Sequence, residues 1–311
     1  MIRHRTSKDD KGRPVRIAAL LTCHNRKERT LVCLESLFGQ VSNGTFDARA
    51  FVVDAGSTDG TAAAVRARFP GVRLIVRDGS LYWCGGMRAA FAEAIKEDYD
   101  YYLWLNDDMT LRPEAVAALL QTARDVRQRD GDGAIVVGSA CDPDTGDRSY
   151  GGVVRTGRLR PLGFRPVQPT DRPQPCTTFN GNCVLVPREV ALAVGNLSPE
   201  FTHAIADTDY GLRSRAMGFS SWVAPGYVGT CRRNTGAGRC FDPALPLRER
   251  LEVLRSPKGL PPREWRLFAR RHAPLQWPIY WICLYLHACL PRFWRWVHRP
   301  RSRAGKTRTP T

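Results

Sequence analysis

The sequence has no Cys-x-x-Cys pair, no apolar run of the length a spanning helix requires, and no internal repeat. Each absence excludes something. Ten cysteines at irregular spacings, as in Cys176/Cys183 and Cys283/Cys289, with only six histidines, do not make a structural zinc site. A chain of 311 residues needs no disulfide staples, so the cysteines are expected as thiols in a reducing cytoplasm. The opening MIRHRTSKDDKGRPVR carries charge without an apolar core, unlike a secretory signal. No G-x-G-x-x-G follows the first apolar run, which argues against a dinucleotide fold. The apolar share of 43% beside 25% charged residues is that of a globular chain and excludes a disordered or fibrous one.

What is present in excess is positive charge, +17 overall. Its distribution argues against a nucleic-acid binder. Residues 17–247 hold 26 basic and 25 acidic side chains, whereas the first 16 residues hold six and two. Residues 248–272 hold eight and three, and residues 292–311 hold seven and none. A neutral body with basic ends suits a catalytic domain with a docking tail. Near the C-terminus, Trp277–Leu290 runs on to Val297, bracketed by Pro278 and Pro291 and rich in Trp and Tyr. Two readings stay open: a helix packed on the body, or an anchor on an anionic membrane surface.

Short apolar runs alternate with helical spacing through the first 130 residues. Strands are expected at Val15–Thr22, Arg49–Val53, Val72–Val76 and Tyr101–Leu105. Helices are expected at Thr30–Gln40, Thr58–Phe69, from Gly85-Gly86 to Glu97, and from Pro113 to Arg129. This is the pattern of βαβ units on a parallel sheet. Beyond it the spacing predicts a hairpin around Tyr150–Leu162, a strand at Phe179–Val186 and a helix at Pro187–Val194. A helix at Asp207–Met217 and a strand at Ser221–Ala224 follow.

Ligands of such sheets sit at the carboxyl ends of the strands. Those ends carry Cys23-His24-Asn25, Asp54 and Asn106-Asp107-Asp108. The triplet offers hard oxygen ligands suited to Mg²⁺ or Mn²⁺ on a diphosphate. Taken alone, it also reads as a helix N-cap ahead of Leu111-Arg112-Pro113, and Asp54 as a turn residue. In HAIADTDYGLR, Asp209 lies four residues before Arg213, the spacing of a helical ion pair. Asp207 is then the freer carboxylate, a general base or simply the helix cap.

Together these segments resemble family 2 glycosyltransferases of the GT-A fold, in the bacterial surface-polysaccharide branch that includes rhamnosyltransferases. The resemblance spans about residues 15–235. It rests on Thr22-Cys23-His24-Asn25-Arg26, VVDAGSTDGT (52–61), LWLNDDMTLRPEAV (103–116), FNGNCVLVPREV (179–190) and ADTDYGLRSRAMGF (206–219). The segment SPKGLPPREW (256–265) resembles a C-terminal extension of that branch.

The resemblance implies an α/β fold with a mainly parallel sheet, helices on both faces and a C-terminal helical extension. It implies a nucleotide half over 15–130 and an acceptor half over 131–235, an extension over 236–297, and basic ends at 1–14 and 298–311. The activity implied is inverting transfer from a nucleoside-diphosphate sugar, UDP- or dTDP-linked, to a hydroxyl of a lipid-linked or polymeric saccharide. No nucleic acid takes part. The setting implied is cytoplasmic, on the inner face of the cell membrane.

By position, Asp54 would hold the nucleobase with Thr22, Asn25 and Arg26 beside it. Gly85, Gly86, Arg88 and Asp107 would contact the sugar nucleotide, and Asn106 and Asp108 the divalent cation. Asp207 matches the catalytic base. The sequence departs from the family pattern at Ala55, Arg88, Asn106 and Ala206, and PGYVGTCRRN (225–234) lacks the family's late histidine, with Cys231 or Arg232 about there. The alternative is a non-catalytic relative that binds nucleotide, anionic membrane or nucleic acid.

Overall fold

The computed structural model describes residues 13–41, 46–131, 133–234 and 236–292. The basic arm and tail expected at residues 1–14 and 298–311 lie almost wholly outside these, as do Trp294 and Trp296. The chain forms two compact units, residues 1–234 and 235–311.

In the first unit the alternating half is built from β1 (Val15–Cys23), α1 (Lys27–Val41), β2 (Phe46–Ala55), α2 (Thr61–Arg68) and β3 (Arg73–Arg77). It continues through α3 (Tyr82–Ala94), β4 (Tyr101–Leu105), β5 (Thr110–Leu111) and α4 (Ala115–Asp130). Then follow β6 (Ile135–Cys141), β7 (Arg148–Tyr150), β8 (Gly152–Arg155), β9 (Phe164–Pro166), β10 (Gln174–Cys176) and β11 (Thr178–Phe179). The unit closes with β12 (Cys183–Pro187), α5 (Arg188–Val194), α6 (Ala206–Ala216) and β13 (Ser221–Thr230).

The main sheet runs β10-β13-β6-β12-β4-β1-β2-β3, with β5 on β13 and β7 on β6. Strands β3, β2, β1 and β4 pair in parallel, as do β6 and β13. Strand β12 is inserted antiparallel between β4 and β6. Strands β8, β9 and β11 form a separate small sheet.

Continuous apolar runs such as VRIAALLTC are what a strand covered on both faces requires. Period-two alternation sends Ile17, Ala19, Leu21, Leu103 and Leu105 to one core, shared with Leu31, Leu34 and Leu119 from α1 and α4. The intervening residues face the other side, where Trp104 meets Tyr210 of α6 at 4.8 Å between ring centres and Phe179 at 6.2 Å. Register then fixes the rim. Cys23 is opposite Asp54 and Leu20 opposite Trp104, so β4 ends about two residues short of β1 and β2, and the triplet that follows it continues along the same rim.

Four expectations need correction. The α3 helix starts at Tyr82, so Gly85 and Gly86 lie inside it rather than opening it. Gly86 is there because α3 lies on β1: a Cβ would come 2.6 Å from Cβ of Thr22. The hairpin is later and wider than expected, pairing Gly152–Arg155 with Phe164–Pro166. The strand expected over 179–186 is two strands in different sheets, β11 and β12, parted at Asn180-Gly181-Asn182. Strand β13 runs six residues past its expected end because Pro225-Gly226 is absorbed by register shifts between Val223, Tyr227 and Gly229.

The second unit holds α7 (Leu247–Arg255), α8 (Pro262–His272) and α9 (Trp277–Cys289) around Cys240, Leu254, Leu284 and Ala288. Trp265 Nε1 donates to the Tyr280 carbonyl at 3.1 Å, tying α8 to α9. Among the described residues no helix is long and apolar enough to cross a membrane.

Trp104 is fully buried and joins β4 to α6. Trp104→Ala should lower unfolding stability by about 3–5 kcal/mol, read from urea denaturation midpoints.

Candidate active site

The rim begins with the β1–α1 turn. Asn25 takes φ 51, a left-handed conformation that Asn tolerates better than most residues. Its Oδ1 accepts from Thr58 N at 2.8 Å, and its own N–H donates to Ser57 Oγ at 2.9 Å, locking the β1 turn to the β2 turn. Asp54, 1% exposed, ends β2; its Oδ1 accepts from Ser57 N at 2.8 Å. Asp54 Oδ2 is buried without a partner. A buried carboxylate oxygen in that state is stabilised by an incoming N–H or O–H donor.

Next along the rim, Arg26 Nη1 donates to Asp107 Oδ1 at 3.0 Å and to Asp108 Oδ2 at 2.9 Å. One cation therefore holds both carboxylates of the triplet. Burial drives the Asp107 carboxyl up to about 7, Arg26 opposing and Asp108 adding to the rise. Asn106 turns elsewhere: its Oδ1 accepts from Trp83 Nε1 at 2.8 Å, and its N–H donates to the Asn182 carbonyl at 3.0 Å. Behind Asp108 stands Cys231, 2% exposed, with Sγ 3.3 Å from Asp108 Oδ1 and Asn182 Nδ2 3.6 Å from the same sulfur. The register of Thr230 opposite Thr110 brings it there. Beside Asp108 opens a cavity of about 180 Å³, lined also by Arg29, Thr110, Thr230 and Arg232.

Asp207 reaches the same place from α6. Its Oδ2 accepts from Gly181 N at 2.8 Å and its Oδ1 from Thr208 N at 2.7 Å. A Cβ on Gly181 would stand 2.7 Å from the Trp83 ring and 3.2 Å from Asp207 Cβ. The glycine is thus the spacer between indole and carboxylate. The path Asn106–Trp83–Gly181–Asp207 is a chain of direct contacts, so triplet and helix carboxylate converge. Burial raises the Asp207 carboxyl above its ordinary range, against the two backbone donors. Ile205, just before the helix, sits at φ 60, and Tyr82, just before Trp83, at φ 48. A β-branched residue there is strained by about 1–3 kcal/mol, a cost that positions the first turn of α6.

Asp209 is fully buried, pairs with Arg213 Nε at 2.9 Å and accepts from Ser198 Oγ at 2.8 Å. Its task is structural, as its spacing from Arg213 suggests. Arg88 Nε donates to the Leu197 carbonyl at 3.1 Å, tying α3 to the loop before α6. Thr22 and Gly86 pack together, and Gly85 faces Leu81 of its own turn. The structure therefore gathers Arg26, Asn106, Asp107, Asp108 and Asp207, holds Asn25 and Asp54 beside one another along the rim, and gives Gly85, Gly86 and Arg88 packing contacts. Sequence reasoning missed Trp83, Gly181 and Asn182. An aromatic just before the paired glycines and a glycine inside FNGN were the available signals.

The donor chemistry can be tested against a divalent cation. Two carboxylates already converge on a single cationic atom, Arg26 Nη1, with open volume beside Asp108. Among the described residues no three His, Cys, Asp or Glu side chains are grouped to hold a metal unaided. Mg²⁺ and Mn²⁺ commonly use one or two carboxylates, with phosphate oxygens and water completing the shell. Asp107 and Asp108 fit that arrangement; the side-chain oxygen of Asn106 is engaged by Trp83.

The two α6 carboxylates should separate cleanly in the laboratory. Arg213→Leu strands the Asp209 charge and should cost about 3–5 kcal/mol of stability, while Asp207→Asn should shift the urea midpoint little.

Comparison with known proteins bears on the family and the fold. The sequence model of Glycosyl transferase family 2 matches residues 19–191, more than half of the chain. Among solved structures, the chain is similar to a mannosyltransferase from Pyrobaculum calidifontis in complex with GDP-Man and Mn²⁺. The TM-score is 0.51 at 16% identity, over 93% of this chain and 77% of that one. It is also similar to residues 1–349 of TarS from S. aureus, with a TM-score of 0.51 at 13% identity, over 89% of this chain and 82% of that one. No curated protein sequence matches it. With a GT-A fold and its rim of strand-end carboxylates, the chain belongs to glycosyl transferase family 2.

Proposed function

We propose that this transferase moves a sugar, with inversion, from a UDP- or dTDP-linked donor to a hydroxyl of a lipid-linked or polymeric saccharide. The product would belong to a bacterial surface polysaccharide, with a hexosyl or rhamnosyl group transferred. The observation that carries the reading is the contact path from Asn106 through Trp83 and Gly181 to Asp207, which sets one carboxylate across from the acidic triplet.

Asp207 is the base. The acceptor hydroxyl gives its proton to Asp207, its oxygen forms the new bond to the anomeric carbon, and the diphosphate leaves with the electron pair of the broken C–O bond. Asp209 is sequestered by Arg213, so one carboxylate serves the reaction. A single displacement needs only that one, whereas retention through a covalent intermediate would need a second as nucleophile. Asp54 Oδ2 supplies an acceptor for an N–H of the nucleobase. Arg26 keeps Asp107 and Asp108 together and brings positive charge to the diphosphate. A Mg²⁺ or Mn²⁺ held by Asp107 and Asp108 would supply Lewis-acid stabilisation of the leaving group. The acceptor's character places the enzyme on the inner face of the cell membrane.

Asp207→Asn should cut turnover by about 10²–10⁴-fold and leave nucleotide affinity unchanged. Isothermal titration with the nucleoside diphosphate reads the second quantity, and unchanged turnover would move the base elsewhere. Thermal shifts with UDP-, dTDP- and GDP-sugars, each with and without Mn²⁺, identify the donor and the cation requirement together.

Because burial raises the Asp207 carboxyl, the base loses its charge at a higher pH than an ordinary aspartate. The acid limb of kcat should therefore fall clearly above about pH 4. A pH–rate profile with no limb above that value would separate Asp207 from proton transfer.

A further inference from the structure

We propose that the second unit docks on an anionic bilayer by laying one side of α9 in the headgroup–acyl boundary. This sharpens the membrane placement given above by naming the surface and its mode of insertion. Helix α9 contains no Asp, Glu, Lys or Arg. One of its sides is spent on the unit's own core, where Leu284 is 4% and Ala288 0% exposed. The other side has no such use. Ile279, Ile282 and Leu286 recur there at steps of three and four residues, which keeps them on a single stripe. Leu275 stands just before the helix and Leu290 just after it, and all five are exposed, from 41% to 87%. A contiguous apolar patch of this kind on a protein surface marks a contact site.

Charge selects the occupant. Glu264 is the last acidic residue of the chain; the 47 residues after it include ten Arg and Lys. Arg263, Arg266, Arg270 and Arg271 of α8 are exposed, and the Arg270 guanidinium lies 5.5 Å from the ring centre of Trp277, at the foot of α9. Cations and indole rings beside an apolar stripe complement a lipid surface with negative headgroups. A second copy of the chain would bring the same cations against themselves, which opposes pairing through this side. The thirteen residues of α9 extend about 20 Å, short of a hydrocarbon core of about 30 Å, so the helix lies in the plane rather than across it.

Cys289, the one exposed cysteine, stands at the end of α9 beside Leu290 and supplies a reporter. The full chain carrying Cys283→Ser, with a polarity-sensitive fluorophore on Cys289, is mixed with vesicles of phosphatidylcholine alone or with added phosphatidylglycerol. Sedimentation with the phosphatidylglycerol vesicles and a blue shift of the fluorophore are expected. Ile282→Asp with Leu286→Asp should weaken binding by about tenfold or more and abolish the shift, although every Arg and Lys remains. Leu275→Asp, outside the helix, should act in the same direction without touching the fold.

Donor hydrolysis and far-UV circular dichroism of these variants should match the parent, which separates lost docking from lost structure or lost chemistry. The proposal is overturned by absence of binding to phosphatidylglycerol vesicles, or by binding that leaves the fluorophore in water and survives the Asp variants. A dimer in lipid-free solution that shields Cys289 would overturn it equally. Failure of any of these kinds leaves turnover on a soluble acceptor intact, so the transferase reading stands or falls separately.

Discussion

Carboxylates brought together out of water repel one another and resist ionisation, and this fold gathers four of them on one rim. The structure answers the difficulty separately for each. Arg26 neutralises Asp107 and Asp108 at once, from a turn that Asn25 braces. Asp207 leans on backbone donors at the start of α6, where the helix dipole favours negative charge. Asp54 keeps one oxygen on Ser57 N and leaves the other for a guest. The strand register, the strained turn at Ile205 and the glycine spacer all serve to hold these partners where they are needed.

Asp207 and Asp209 show how closely two identical side chains can differ in use. They are two positions apart on one helix, so they face different surroundings. Asp209 looks into the body, where Arg213 and Ser198 satisfy it and fix the loop ahead of the helix. Asp207 looks toward the rim and is met by only neutral donors. The buried ion pair is the frame, and burial raises the proton affinity of Asp207 against its two backbone donors.

Much of this was legible from residue order alone, for identifiable reasons. An uninterrupted apolar run ended abruptly by polar residues, as at Thr22–Asn25, Asp54 and Asn106–Asp108, announces both a buried strand and its functional end. The i,i+4 relation of Asp209 to Arg213 likewise needs no coordinates. Legibility failed where tertiary contacts override local signals. Pro225-Gly226 reads as a terminus, yet β13 continues because β6 on one side and β5 on the other pair with Tyr227–Thr230. Phe179–Val186 reads as one strand, yet Gly181 breaks it to admit an indole ring. Trp83 has no local mark of its role; only the meeting of α3 with β4 gives it Asn106 as a partner. The outer side of α9 was hidden for the opposite reason. Its apolar residues are evident, but which of them the small core consumes is decided by packing.

The irregularity in β13 has a consequence for how this site can change over time. Between Val223 and Gly229 the strand slips against β6, and that slip sets which side chains of its far end face the triplet. A side chain's facing reverses with every residue along a strand. Insertion or loss of one residue near Pro225-Gly226 would therefore exchange Cys231 for a neighbour at Asp108, with no substitution anywhere in the sequence. The bulge makes the chemistry behind Asp108 a matter of counting: one codon lost would trade the thiol for the guanidinium of Arg232, and one gained would trade it for the hydroxyl of Thr230.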